Sequence, residues 1–375
     1  MNGVRILHTA DCHLGSGRAS VKNGKKELKD TFFRILDLCR REQVDFLLIA
    51  GDLFDNPFID RETAGEIADG FSRLDGTYVI IVSGNHDCAC ADSVYDTFPF
   101  PENVKLFTSQ LEYCDFPDKN TRIYGTGFGT AHEQSSMLSG FSAPETDTIN
   151  IGIMHGEVTN STESCLYNPI SDAQIAASGL DYLALGHIHK RSEILKLGST
   201  FYAYCGCPDG RGFDETGSKG IYIGTVGKGK CHLEYRELSS RLYITDSVDI
   251  SGCTSSHQAA VRITEYIKEI CKDIFSDNLY KITMTGSINP DVMLNIPQIQ
   301  AELENYVFFC EIFDRTTPEI AALNQLASEQ TLRGVFTRKM LDRIASSSLD
   351  EQQSLQLALK LGLHAFEREV KLLDN

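Results

Sequence analysis

The 375-residue sequence contains no long apolar run. Its clean hydrophobic stretches are of the size of Phe46-Leu47-Leu48-Ile49-Ala50, whereas a helix crossing a bilayer needs about 20 such residues. No membrane span is expected, and Met1–Ala10 carries no apolar stretch of the kind a secretory leader has. An excess of positive charge is also missing. At a net charge of −17 the chain repels phosphates overall, so any nucleic-acid binding must use a local basic patch or metal ions. The C-x-x-C spacing of zinc ribbons and thioredoxin-like sites is absent too. The twelve cysteines are scattered, with Cys88/Cys90 and Cys205/Cys207 as C-x-C pairs. A reduced, cytoplasmic protein without disulfides is expected. There is no internal repeat and no low-complexity tract.

What is present is an ordinary globular composition, 42% hydrophobic and 23% charged, in a chain long enough for a large domain and a smaller one. Short apolar runs recur through the first half: Val4 to Leu7, Phe46 to Ala50, Tyr78 to Val82, Ile151 to Met154 and Tyr182 to Leu185. Their length and their β-branched or large side chains predict buried strands. Between the first two, Leu28, Phe32, Ile35, Leu36 and Cys39 fall at helical spacing within Lys26 to Arg41. Strands alternating with helices imply a layered α/β core, whose functional groups gather beyond the carboxyl ends of the strands. Residues 128–147 are polar, rich in Gly and Ser, and aperiodic, which predicts a surface loop. After Leu242 the pattern changes to a small β-α-β-α-β unit, with Thr316-Thr317-Pro318 as a break and helices beyond.

Five short segments follow the five strand candidates: Asp11-Cys12-His13, Gly51-Asp52, Gly84-Asn85-His86-Asp87, His155-Gly156 and Gly186-His187-Ile188-His189. Singly, each is an ordinary turn or a buried histidine. Together they hold half of the ten histidines and supply only oxygen and imidazole donors. Phosphodiesters resist hydrolysis because an attacking anion and the phosphate repel one another. Two cations about 3.5–4 Å apart remove that obstacle. A carboxylate is the natural bridge between them, and Asp52 is the candidate. Mixed imidazole and oxygen ligation favours manganese, iron or zinc over magnesium or calcium.

The five segments resemble the calcineurin-type metallophosphoesterase signature, D-x-H, GD, GNHD, H and GHxH. More closely, His8 to Ser16, Phe100-Pro101-Glu102-Asn103-Val104 and the segment from Cys205 to Phe213 with Glu215, Gly217 and Lys219-Gly220 are similar to the SbcD-type DNA-repair exonucleases, the last segment to a YhaO-like branch. The resemblance covers residues 1–240 well and the remainder by architecture alone. It implies a layered β-sandwich flanked by helices at 1–242, a small α+β capping domain at 243–316 and a helical partner-binding tail at 317–375. It places Asp11, His13, Asp52 and His189 on one metal, and Asp52, Asn85, His155 and His187 on a second. His86 would face the scissile phosphate and protonate the leaving oxygen, with Asp87 orienting it. His8, His132, His232, His257 and His364 match no motif position. Cys12 stands where the family carries a larger residue, and a small buried filler is expected there.

The implied activity is that of a two-metal, Mn²⁺-dependent nuclease subunit, exonuclease or endonuclease, with Fe²⁺ or Zn²⁺ as alternative ions. The implied partners are DNA, an SbcC-like coiled-coil ATPase reached through residues 318–375, and a second copy of the chain. The strong acidity leaves open a phosphodiesterase or phosphatase for a smaller phosphoester. A local basic segment follows the Asp11/His13 loop, in which Arg18, Lys22, Lys25, Lys26 and Lys29 are opposed only by Glu27 and Asp30. Arg18, Lys22, Lys25 and Lys26 are accordingly candidates for holding a DNA backbone. In the tail, Leu332, Val335, Phe336, Met340 and Ile344 form one helical stripe, and the leucines of Leu355 to Leu363 favour a second helix after a Ser348/Glu351 capping box.

Overall fold

The computed structural model describes residues 3–160 and 165–366. It groups the chain into two compact units, Met1–Leu242 and Tyr243–Asn375.

The first unit is a sandwich of two six-stranded sheets. In one sheet the strands run in the order Lys230–Glu237, Gly220–Gly227, Gly3–Thr9, Phe46–Ala50, Tyr78–Val82 and Val104–Phe107. In the other the order is Leu195–Leu197, Thr200–Tyr204, Tyr182–Gly186, Ile149–His155, Thr121–Gly125 and Glu112–Phe116. The continuous apolar runs form the central parallel strands, because those strands are covered on both faces. Along Phe46–Ala50 the pleat sends Phe46, Leu48 and Ala50 into the layer between the sheets, with Ile151, Ile153 and Tyr182. Leu47 and Ile49 point the other way, toward Phe32, Ile35 and Leu36 of the helix Gly24–Arg41 and Phe71 of the helix Arg61–Ser72. The expected helical stripe is thus the face that this helix buries.

Seven strands of the two sheets lie outside the five anticipated runs. Lys230–Glu237, for example, alternates exposed and half-buried residues, which gives no apolar run to detect. The expected surface loop at 128–147 is aperiodic but not wholly superficial. Phe128 and Leu138 are buried, and the Phe128 carbonyl accepts the Ala89 N–H at 2.7 Å and the Ser83 hydroxyl at 3.0 Å. This segment is therefore fastened to the loop that follows Tyr78–Val82.

The second unit carries a three-stranded parallel sheet of Tyr243–Asp249, Leu279–Thr285 and Phe309–Asp314. Its connecting helices, Ser256–Cys271 and Ile296–Leu303, bury Ile263, Ile267, Ile299 and Leu303 against it. Three helices follow: Ile320–Ser328, Leu332–Ser346 and Leu349–Ala365. The expected tail stripe divides. Phe336, Met340 and Ile344 pack on Leu323, Leu326, Leu359 and Leu363, whereas Leu332 is 76% exposed and Leu357 is 57% exposed. Residues 367–375 of that tail lie outside the described residues.

Among the described residues no helix is long and apolar enough to cross a membrane.

Candidate metal centre

Each of the five motif segments begins where a strand ends. Asp11, Asp52 and Asn85 follow three neighbouring parallel strands of one sheet. His155 closes a strand of the other sheet, and His187 follows the strand beside it. The carboxyl ends of both sheets meet here, so the tertiary fold gathers residues 11 to 189 into one cluster. Backbone strain marks the same place. Asp11, His13, Asp52 and His187 have positive φ, at 53°, 44°, 50° and 97°. Left-handed backbone is costly for such residues and persists where surrounding structure enforces it. The motif glycines have a steric cause. A Cβ on Gly51 would lie 2.3 Å from the His155 ring, and one on Gly84 would lie 2.1 Å from the Asp52 carboxylate.

The donor atoms converge. His13 Nε2 and His189 Nε2 are 3.3 Å apart. Asn85 Oδ1 lies 2.9 Å from His155 Nε2 and 3.2 Å from His187 Nδ1. Asp52 Oδ2 stands 3.7 Å from His13 Nε2 and 3.5 Å from His155 Nε2, one histidine from each expected ligand set. Its other oxygen accepts the His86 N–H at 2.9 Å. Asp11 accepts the His187 N–H at 3.1 Å and lies 3.7 Å from His189 Nε2. His86 itself is exposed at the mouth, its ring edge-on to His13 with centroids 4.7 Å apart.

This chemistry fits divalent cations. Asp11 and Asp52 are buried, and their nearest charged-type neighbours are imidazoles. His155 Nδ1 lies 2.9 Å from the Ala50 carbonyl. A carbonyl can only accept, so in the neutral ring the proton sits on Nδ1 and the Nε2 lone pair faces the Asn85 oxygen. Acceptors set against acceptors are what a cation between them resolves. Burial, with the neighbouring His155 acting in the same direction, pushes His187 down to about 4, which leaves its ring neutral and able to ligate. Burial opposes ionisation of Asp52, but His155, His13 and His86 outweigh it and hold its carboxyl below the usual range.

Residues 4–191 match the family described as calcineurin-like phosphoesterase. The chain belongs to the calcineurin-like phosphoesterase family. It is thereby a member of a family of phosphoester hydrolases that bind divalent metals. It is 29% identical over 350 residues to the uncharacterized metallophosphoesterase YhaO of Bacillus subtilis, covering 86% of this chain and 85% of that protein. It is 25% identical over 304 residues to the DNA double-strand break repair protein Mre11 of Methanopyrus kandleri, over 72% of this chain and 65% of that one. The D component of the SbcCD nuclease of Staphylococcus epidermidis is 26% identical over 239 residues, 54% of this chain and 60% of its own.

Two expected roles need correction. Asp87 does not touch His86. Its buried carboxylate accepts the Phe54 N–H at 3.0 Å, the Gly84 N–H at 2.7 Å and the Tyr95 hydroxyl at 2.6 Å. Burial, then the charge of Asp52, pushes it up to about 6. Asp87 locks the turn that presents Asn85 and His86. Arg18 does not face a substrate either. Its side chain is buried, paired with Glu27 at 3.0 Å and Asp209 at 3.3 Å and bonded to Ser240 at 2.7 Å. A guanidinium so placed ties the 18–27 segment to the 209–240 segment. Lys22, Lys25 and Lys26 are exposed, with Lys26 bonded to Asp30 at 2.8 Å.

Three further residues surround the centre that the motifs do not single out. Asp55 Oδ1 lies 3.2 Å from His13 Nδ1, and its carboxylate shares a cluster with His86. Its ring partner is His13, with His86 within 4.8 Å. Glu215 meets His189 Nδ1 at 2.7 Å. Arg211 contacts both acids. Asp55 stands three residues beyond Asp52, while Arg211 and Glu215 sit in the Cys205–Lys219 segment, which the resemblance singles out without assigning roles. Cys12 is buried and burial pushes its thiol up, the behaviour of an inert filler.

Proposed function

We propose that this chain is a two-metal phosphodiesterase acting on DNA ends, Mn²⁺ being the favoured ion and Fe²⁺ or Zn²⁺ the alternatives. The supporting observation is the convergence of seven donors and one exposed histidine at the joined ends of the two sheets. Asp11, His13, Asp52 and His189 would hold one ion, and Asp52, Asn85, His155 and His187 the other. When bound, the ions supply positive charge to the phosphoryl oxygens and acidity to an attacking water. The protein does the rest. Asp52 faces one histidine of each set through one oxygen and pins the His86 backbone with the other. Asp87 fixes the same turn from beneath. His86, exposed and within the Asp55/His13 cluster, would give a proton to the leaving oxygen. In the SbcD-like reading the exposed leucines of the tail, Leu332, Leu357 and Leu361, would dock on a coiled-coil ATPase.

One observation favours a smaller phosphoester instead. Of the basic segment, Arg18 is spent internally, and Lys26 and Lys29 are paired with Asp30 and Glu66. The deciding experiment compares end-labelled DNA with a small chromogenic phosphodiester, using chelated protein restored with Mn²⁺ or Mg²⁺. Both substrates should be cut only after metal is returned, and better with Mn²⁺. Cleavage of the small ester without DNA degradation, with or without an SbcC-like ATPase, would select the second reading. Undiminished turnover after exhaustive chelation would remove the metals from both.

A further inference from the structure

The two histidines assigned above to the same ion come from different sheets, His13 beyond Gly3–Thr9 and His189 beyond Tyr182–Gly186. Their inward nitrogens face each other, and each turns its other nitrogen to a carboxylate. His189 Nδ1 bonds Glu215 at 2.7 Å, and His13 Nδ1 lies 3.2 Å from Asp55, in ion-pair range though off-line for a straight hydrogen bond. One guanidinium joins these two acids. Arg211 reaches Asp55 at 3.3 Å through one terminal nitrogen. It reaches Glu215 at 3.0 Å through the other and at 3.2 Å through Nε. The Arg211 backbone N–H adds a 2.8 Å bond to the remaining oxygen of Glu215, and its carbonyl accepts the Ala19 N–H at 2.7 Å.

We infer that Arg211 is a positioning residue for the candidate metal centre, a clamp that fixes the rings of His13 and His189 through the two carboxylates behind them. The inference rests on the two-metal reading. A planar fork suits the task, because it can address two carboxylates at fixed angles where an ammonium acts as a point charge. Carboxylates behind ligand imidazoles set the tautomer and the ring orientation. An accidental surface pair would not be expected to use both terminal nitrogens, Nε and the backbone on the acids of two ligands. The neighbourhood also argues against a third ion in its place. His189, Cys207 and Glu215 have donor atoms within 4.8 Å of one another. Arg211 already occupies the Glu215 oxygens, and Lys219 Nζ lies 3.2 Å from the His189 carbonyl.

The test is equilibrium Mn²⁺ binding to the full chain, followed by the electron paramagnetic resonance of free and bound ion, with wild type, Arg211→Ala and Arg211→Lys. Wild type should take up two ions. Arg211→Ala should weaken one of them by about 10–100-fold and leave the other within about threefold. Arg211→Lys should fall between, and metal-free Arg211→Ala should melt within about 4 °C of wild type. If both ions bind Arg211→Ala as tightly as wild type, the clamp is refuted. If both weaken together with a large fall in the metal-free melting temperature, Arg211 is structural only. Should Arg211→Ala not fold, wild-type affinity in Arg211→Lys overturns the proposal. A wild type that binds no Mn²⁺ fails the two-metal reading itself, and the clamp with it.

Discussion

Both compact units place acidic residues at or just beyond the ends of parallel strands, yet the two sets of acids do different things. In the second unit Asp249 accepts the Ser251 N–H at 2.7 Å. Asp314 accepts the Thr316 N–H at 2.9 Å and the Lys360 ammonium at 2.8 Å. Both of these acids find protein donors, and the outcome is a turn or a helix tie. In the first unit Asp11 faces His189 of the other sheet, and Asp52 faces His13 of its own sheet and His155 of the other, at positive φ and away from solvent. A strand-end carboxylate therefore marks a candidate position only. Convergence of imidazoles from two sheets on the buried acids is what separates the candidate metal centre from a turn.

The most severe way to break this contrast is Asp52→Ala. It removes a carboxylate oxygen that stands within 3.7 Å of a histidine from each ligand set. Bound metal per chain, measured by plasma mass spectrometry, should fall from two toward zero, and hydrolysis of a small phosphodiester should fall below detection. A variant that keeps both ions would remove Asp52 from the bridging position.

His86→Ala should separate chemistry from binding. Turnover is expected to drop by about 10²–10⁴ while two ions remain bound. If this variant empties the site, His86 is a ligand and the assignment made above is wrong.

The control in the second unit is Asp314→Ala. Loss of its bonds to Thr316 and Lys360 should cost about 1–2 kcal/mol in chemical denaturation. Metal content and hydrolysis should be unchanged. Lost metal here would mean that the contrast between the two units is misdrawn.

The smallest effect is expected at the basic segment. Charge reversal at Lys22, Lys25 and Lys26 should weaken DNA binding and reduce its salt slope by about one unit for each phosphate no longer neutralised. Cleavage of the small ester should persist. Equal loss on both substrates would indicate damage to the centre rather than to a DNA surface.

The helix stripe of Leu28, Phe32, Ile35 and Leu36 and the runs Phe46–Ala50 and Tyr78–Val82 are legible in the amino-acid sequence. The helix is buried on the face set by its period and the two runs, apolar at every position, on both faces, and a local pattern carries that information. The outer strands are not legible in this way. Gly220–Gly227 and Lys230–Glu237 owe their pairing to one another and to Gly3–Thr9, far away along the chain. The same division runs through the site. Asp11, His13, Asp52, Asn85, His155, His187 and His189 stand in short motifs at strand ends, so residue types and order mark the five segments, and the family resemblance picks the ligands within them. Arg18 illustrates the converse, since a basic residue in a basic segment gives no sign that Glu27 and Asp209 enclose it.

By itself the sequence determined which residues could serve as donors, because the chemistry of oxygen and imidazole groups is a property of each side chain. Tertiary structure alone decided which acid stands behind which histidine. Asp55 stands behind His13, and Glu215 backs His189 with Arg211 between the two acids. The reason is geometric. An outer carboxylate is chosen by the angle at which a distant loop returns to the ring, and no spacing along the chain records that angle.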